Sequence, residues 1–450
     1  MSAAILTAAR LARGEIPAPT ALTRSAPLNT QRQLGLASAT ALVVANMIGT
    51  GVFTTSGFLL ADLRSPWIVL AAWAVGGVIA TLGALNYGAL ARRIPESGGE
   101  YLFLSRTWHP AAGYLAGWIS LLVGFSAPLA AAALAFGEYS KAWFTAWPPR
   151  VSGTILLTAL SLLHAAHVRR GAWVQNAAVL LKVALIALFV GFAFSHLPVP
   201  AARATDDFPL SAFGVSLVWI SFSYSGWNAA VYLGGEVRDP ERNLPRALLL
   251  GTGLVTLLYL ALNAAFVFAA PVEQLAGKLE IGRIAGEHLG GPALANAVSA
   301  LVALTLMSSV SSMVMAGPRV YARMAADGYL PRWLRNESGP PRAAIHFQGG
   351  IALLLLWTAT FEGLLTYIGF TLGLSTAATV IGLVRLRRRE GANLHVPGWP
   401  WVPALFLLSV LGTTAFSIAL RPVESLLGAI TVGIGWLAWR ISSGMQSGRD

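Results

Sequence analysis

Apolar residues in this chain gather into runs of about twenty, separated by short stretches rich in Pro, Gly, Arg and acidic residues. A run of that length crosses a bilayer as a single helix. Taken in order, the runs predict twelve spans, near 36–60, 67–90, 111–136, 151–166, 173–194, 210–235, 247–270, 294–325, 344–361, 364–383, 402–420 and 425–439. The strongly polar stretches at 92–100 and 236–246 are expected as loops.

Two of the runs are interrupted. The first contains Asn46, Met47, Ile48, Gly49, Thr50, Gly51, Val52 and Phe53, where two glycines flank a threonine. Glycine is a poor helix residue, and in hydrocarbon any backbone group it releases must find a partner other than lipid. If Gly49–Gly51 unwind, the incoming half-helix ends in free carbonyls and the outgoing half begins with free N–H groups at the positive end of a helix dipole. Such a break can hold a carboxylate and an ammonium together. The sixth run contains Ser221, Phe222, Ser223, Tyr224, Ser225, Gly226, Trp227 and Asn228, a serine-rich window at mid-depth. Five spans later it crosses in the opposite sense, as the first helix of an inverted repeat does. Glycines also serve close helix packing, but paired breaks in two halves point to a transporter's binding site.

Composition agrees with a membrane protein: hydrophobic residues are 56% and charged residues 11% of 450, against about 25% charged in an ordinary soluble domain. The net charge of +12 is carried in the short connections, which reads as a topology signal and not as a nucleic-acid surface. With the N-terminus inside and every span crossing, 23 Lys and Arg fall on the cytoplasmic side and 7 outside, so both termini are expected in the cytoplasm. Cysteine is absent, which excludes disulfides and thiolate chemistry. Residues 1–35 read as a polar tail without the apolar core of a signal peptide.

Five stretches together resemble the amino acid, polyamine and organocation superfamily, and its L-amino acid transporter branch in particular. They are Asn46–Phe53; Pro95–Tyr101; Phe222–Asn228; Asp239–Arg246; and Met315–Pro331, which includes Arg319 and Asp327. The likeness covers about 34–390. It implies an all-α integral membrane protein of twelve helices with a LeuT-type 5+5 inverted repeat, helices 1 and 6 unwound, and alternating access. The repeats would occupy about 36–195 and 210–385 and two appended helices about 400–440, in one domain over 36–442 with a short tail at 443–450.

The resemblance also implies roles. Ile48, Thr50 and Gly51 would receive a substrate carboxylate, at about 1–3 kcal/mol per charge-assisted bond. The carbonyls of Phe222, Ser223 and Ser225 would take its ammonium, and Phe222 would act as an aromatic gate. The branch has a glycine pair where this chain has Ser225–Gly226, which leaves two readings open: a smaller pocket, or a hydroxyl bonded locally. Lys182 is the clear charge near the middle of a span, where a functional role is the default. Its position matches a family lysine beside the helix 1 break, where sodium-coupled relatives of the fold hold an ion. It would either replace that ion or carry a proton. Asn46, Tyr224 and Trp227 are weaker pocket candidates that packing also explains, and Ser308, Ser309, Ser311 and Ser312 of the eighth span could line the pocket or bond their own helix carbonyls.

His164 and His167 stand three apart without a third ligand, which is too little for a metal site. No cofactor is expected, and a membrane enzyme lacks its catalytic cluster at depth. No carboxylate falls at mid-depth in spans 1, 3, 6, 8 or 10, so a neutral amino acid is favoured over a cationic one or a polyamine. Paired breaks argue for a closed central site over a channel. The expected partners are the amino acid, membrane lipid and, for a symporter, protons; no protein partner is evident. Arginine-heavy usage, with three lysines, suggests a bacterial inner membrane.

Overall fold

The computed structural model describes residues 34–166, 171–198, 209–335 and 341–447. They form helices and their connections. The one β feature among them is an isolated parallel bridge, in which Leu34 N–H donates to the Glu236 carbonyl (3.0 Å) and Arg238 N–H to the Leu34 carbonyl (2.8 Å). The tail expected over 1–35 lies outside the described residues except for Leu34 and Gly35, and His167 lies outside them too.

The first apolar run is two helices, α1 (Leu36–Met47) and α2 (Gly51–Leu63), bent by 40° at the glycines. After it come α3 (Pro66–Arg93), a short α4 (Gly99–Thr107) and α5 (Pro110–Ser140). The stretch 92–100 is therefore not all loop: α4 starts inside it at Gly99 and is too short to cross. Helix α5 widens to a π-helical stretch over Ser120–Ser126. Pro128 follows, which has no N–H to give to the preceding turn, and within the stretch the Ser126 hydroxyl bonds the Leu121 carbonyl (2.8 Å). Next are α6 (Pro149–Ala166) and α7 (Gly171–His196).

The sixth run is also divided. Helix α8 (Leu210–Tyr224) stops, a turn follows, and the chain resumes as a 3₁₀-helix over Ala229–Glu236. Helix α9 (Pro240–Val267) starts earlier than the apolar run because Pro240 suits a first helical turn. Helix α10 (Ile281–Ala326) begins well before position 294 and kinks at Gly290–Gly291, ahead of Pro292. The remainder is α11 (Arg342–Thr358), α12 (Phe361–Glu390), α13 (Trp401–Leu420) and α14 (Pro422–Ser447). The last helix thus runs past 442 because no proline stops it.

Among the described residues eight helices are long and apolar enough to cross a membrane, or nine if the bent pair α1–α2 is one span. Their outward faces carry leucines such as Leu180, Leu188, Leu257 and Leu408, which suits contact with lipid. Buried polar side chains lie inward, where Thr54, Thr55, Ser56, Asn263 and Lys182 are at most 4% exposed. This is a multi-pass membrane protein with a group of buried polar side chains at the first break.

Candidate functional site

At the first break the helical ladder fails in a specific way. The Gly49 N–H bonds the Met47 carbonyl (2.8 Å), so the Ala45 carbonyl four residues back loses its helical donor. Lys182 supplies one. Its Nζ donates to the carbonyls of Ala45 and Ile48, both at 3.1 Å, while Leu180 and Leu181 on either turn of α7 face outward. Ser309 of α10 adds a bond to Ile48 O (3.2 Å). The Tyr259 hydroxyl of α9 lies between the Met47 and Ser223 carbonyls (3.1 Å to the latter) and shares its one hydrogen between them. One phenol therefore spans both breaks. The freed carbonyls of α1 are met from inside the protein by an ammonium and two hydroxyls.

On the other side of the break, Gly49, Thr50 and Gly51 line a cavity of about 1720 Å³. Thr50 is the residue before α2, and the first N–H groups of a helix have no intrahelical acceptor. The two breaks are in direct contact. A β-carbon at Gly51 would stand 2.2 Å from Ser223 Oγ, and one at Gly226 2.7 Å from the Asn46 carbonyl carbon. Gly226 also has φ +100°, a conformation that glycine adopts without strain. The Ser223 hydroxyl bonds Thr55 Oγ1 and the Trp219 carbonyl, both at 3.0 Å, so it stitches α8 to α2. Of the carbonyls expected to take an ammonium, Phe222 O accepts from Ser225 N–H (2.9 Å) and Ser223 O from Tyr259; each keeps a second lone pair.

The remaining candidates separate by geometry. Phe222 and Ser225 line the cavity beside the glycines. Ile48, expected to offer its N–H to a carboxylate, does not line the cavity: its side chain is fully buried, its N–H bonds the Val44 carbonyl (3.1 Å) because α1 is still helical there, and its carbonyl takes Lys182 and Ser309. Asn46 bonds the Leu42 carbonyl of its own helix (2.8 Å). Tyr224 donates to the Trp73 carbonyl (3.2 Å) and packs on Trp73 and Tyr259. Trp227 packs edge-on against Tyr87 and Phe406, which is a seating role. Ser309 and Ser312 line the cavity whereas Ser308 does not; one residue along a helix is a rotation of about 100°. His164 bonds the Ser311 hydroxyl (2.8 Å).

From the breaks the cavity runs to a charged mouth. Arg93 pairs with Glu390 (3.0 Å), Arg106 with Glu96 (2.8 Å), and Arg319 and Arg389 also line it. The opposite end is covered. Gly277 N–H bonds the Gly57 carbonyl of α2 (2.7 Å), and Tyr139 donates to the Phe53 carbonyl (2.7 Å) while accepting from Gly282 N–H (3.2 Å). The sequence reading missed Tyr259, Tyr139 and Glu100, and it did not separate Ser309 from its neighbouring serines. Nothing in a sequence pattern marks a tyrosine whose partners are backbone carbonyls 36 and 212 positions away.

Residues 34–437 match the family model described as amino acid permease. The chain is 32% identical over 379 residues to the large neutral amino acids transporter small subunit 2 of Rattus norvegicus, covering 80% of this chain and 71% of that protein. It is 30% identical over 375 residues to the b(0,+)-type amino acid transporter 1 of Mus musculus, covering 79% and 76%.

Proposed function

Because the chain belongs to the amino acid permease family, we propose that it is a secondary transporter of neutral L-amino acids that works by alternating access. The observation that carries the reading is the division of labour at the first break. The carbonyl end is already satisfied by Lys182, Ser309 and Tyr259, while the glycines that begin α2 face a cavity. The site therefore favours a carboxylate on the N–H side of the break, with the ammonium on the carbonyls that end α8. Thr50 and Gly51 hold the carboxylate, Phe222, Ser223 and Ser225 the ammonium, and Phe222 closes over the substrate.

Three further helices, α6, α8 with its 3₁₀ extension, and α11, bring the nine long or bent spans to twelve. In this arrangement residues 36–195 and 210–385 are inverted repeats of five, followed by α13 and α14, in one transporter domain over 36–442. The charged mouth lies on the arginine-rich side, which we assign to the cytoplasm together with both termini, in a bacterial inner membrane. The cavity is then inward-open. Glu100, the carboxylate bonded to Asn228 at the end of the second break, already accepts from three donors, which favours neutral substrates over a cationic side chain. Lys182 stands where an ion would cap the carbonyls, which supports exchange without a coupling cation; proton symport is the other mode.

The test uses purified protein in liposomes preloaded with unlabelled alanine, following labelled alanine with and without a pH gradient. Uptake that requires internal amino acid and ignores the gradient identifies an exchanger. Gradient-driven uptake into empty liposomes identifies a symporter. Folded protein that carries no neutral amino acid in either condition refutes the proposal.

A further inference from the structure

Glu100 lies outside the apolar spans, in α4, yet it is 4% exposed. One carboxylate oxygen accepts from the Tyr87 phenol (2.7 Å) and the Asn228 amide (3.1 Å), the other from the Ser375 hydroxyl (2.5 Å). These donors belong to α3, to the residue that closes the second break, and to α12. The ion pairs between described residues do not include it. Asn228 directly follows Ser225, Gly226 and Trp227, and Trp227 packs on Tyr87 with ring centres 4.7 Å apart. A single carboxylate oxygen thus fixes both the end of the break and the ring that seats its tryptophan.

Glu100 and Asn228 line the cavity, so protons reach the carboxyl from the charged mouth. Burial pushes the carboxyl above the usual range, and the three donated bonds pull it back only in part. The other titratable groups facing it are the phenols of Tyr87 and Tyr232; Ser375 and Thr379 of α12 do not titrate. An ionised carboxylate accepts all three bonds, whereas a carboxylic acid must donate one hydrogen. The Tyr87 and Ser375 hydroxyls can rotate to accept it. A proton on the oxygen that faces Ser375 is taken up by that hydroxyl, and the oxygen shared by Tyr87 and Asn228 becomes a neutral carbonyl, a weaker acceptor than a carboxylate, so the Asn228 bond is kept but weakened.

We propose that Glu100 is a positioning residue for the substrate site: its carboxylate clamps the second break through Asn228, and protonation from the cavity side loosens the clamp and weakens substrate binding. The inference rests on the transport reading above. Two measurements keep the two apart. The first is hydrogen exchange of residues 221–236, corrected for intrinsic rates, from about pH 8 to pH 5. The second is the alanine KM on the cavity side over the same range. In the wild type, protection falls and KM rises as pH is lowered. Glu100→Gln shows the low-pH protection at every pH and a flat KM about tenfold higher, while Glu100→Asp still titrates. Asn228→Ala retains the acid but loses the pH dependence of KM. A wild-type pH profile in Glu100→Gln, or protection of 221–236 that ignores pH in the wild type, overturns the clamp. If the wild type carries no amino acid, the transport reading fails and the exchange titration still decides the clamp.

Discussion

The contact between Gly51 and Ser223 makes a quantitative prediction. A β-carbon at Gly51 would lie 2.2 Å from Ser223 Oγ, 2.5 Å from its Cβ and 2.6 Å from its Cα. The hydroxyl could swing away only by giving up its bonds to Thr55 and Trp219, at about 1 kcal/mol each. The α-carbon cannot move without shifting α8. Overpacking costs about 1–3 kcal/mol, so Gly51→Ala should disfavour this arrangement by about 3–4 kcal/mol, a few hundred-fold. The assay is alanine exchange together with thermal unfolding of purified protein. Ser223→Gly removes two of the three close atoms, so Gly51→Ala with Ser223→Gly should recover about 1–2 kcal/mol relative to additivity. If glycine were needed there only to leave room for a carboxylate, Ser223→Gly would restore nothing. Gly51→Ala with wild-type exchange and stability, or a double variant no better than the single one, refutes the packing argument.

Three other substitutions bear on the same site. Tyr259→Phe removes the hydroxyl that joins the two breaks and should raise the alanine KM about 5–20-fold with little change in melting temperature, since one bridging group contributes about 1–2 kcal/mol; an unchanged KM would show that the breaks are held without it. Lys182→Met keeps the aliphatic stem but leaves the Ala45 carbonyl without a donor, so exchange should fall at least about tenfold, evenly from about pH 5 to 8. Retained activity with lost pH dependence would instead make the ammonium a proton carrier. Tyr139→Phe removes a hydroxyl bonded on both sides of the covered end, and in this cysteine-free chain a single Leu59→Cys should then react faster with a thiol reagent from that end; an unchanged rate would assign the closure to the Gly57–Gly277 contact.

The sequence by itself determined the class of the protein and the places where its helices break. Apolar run length dictates helices that cross a membrane, and Gly49–Thr50–Gly51 and Ser225–Gly226 mark the interruptions because glycine beside polar residues disfavours helix continuation. These properties are local. Lys182 was legible for a related reason, since a charge among leucines must find a partner inside the protein. What the run pattern could not supply was the identity of that partner or the other groups that share the work. Tyr259 sits in an apolar helix where a hydroxyl has little sequence signature, and Ser309 is one of four serines of α10 that the sequence does not tell apart; both matter because folding brings α9 and α10 against backbone carbonyls of α1. Glu100 looked like part of a polar loop and became a buried acceptor because α4 tucks it between α3, the second break and α12. Gly51 was read as an opening for a ligand and is also a seam between α2 and α8. Hydrogen-bond partners distant in sequence and van der Waals contacts between separate helices are set by how the helices pack, so only the tertiary structure decides them.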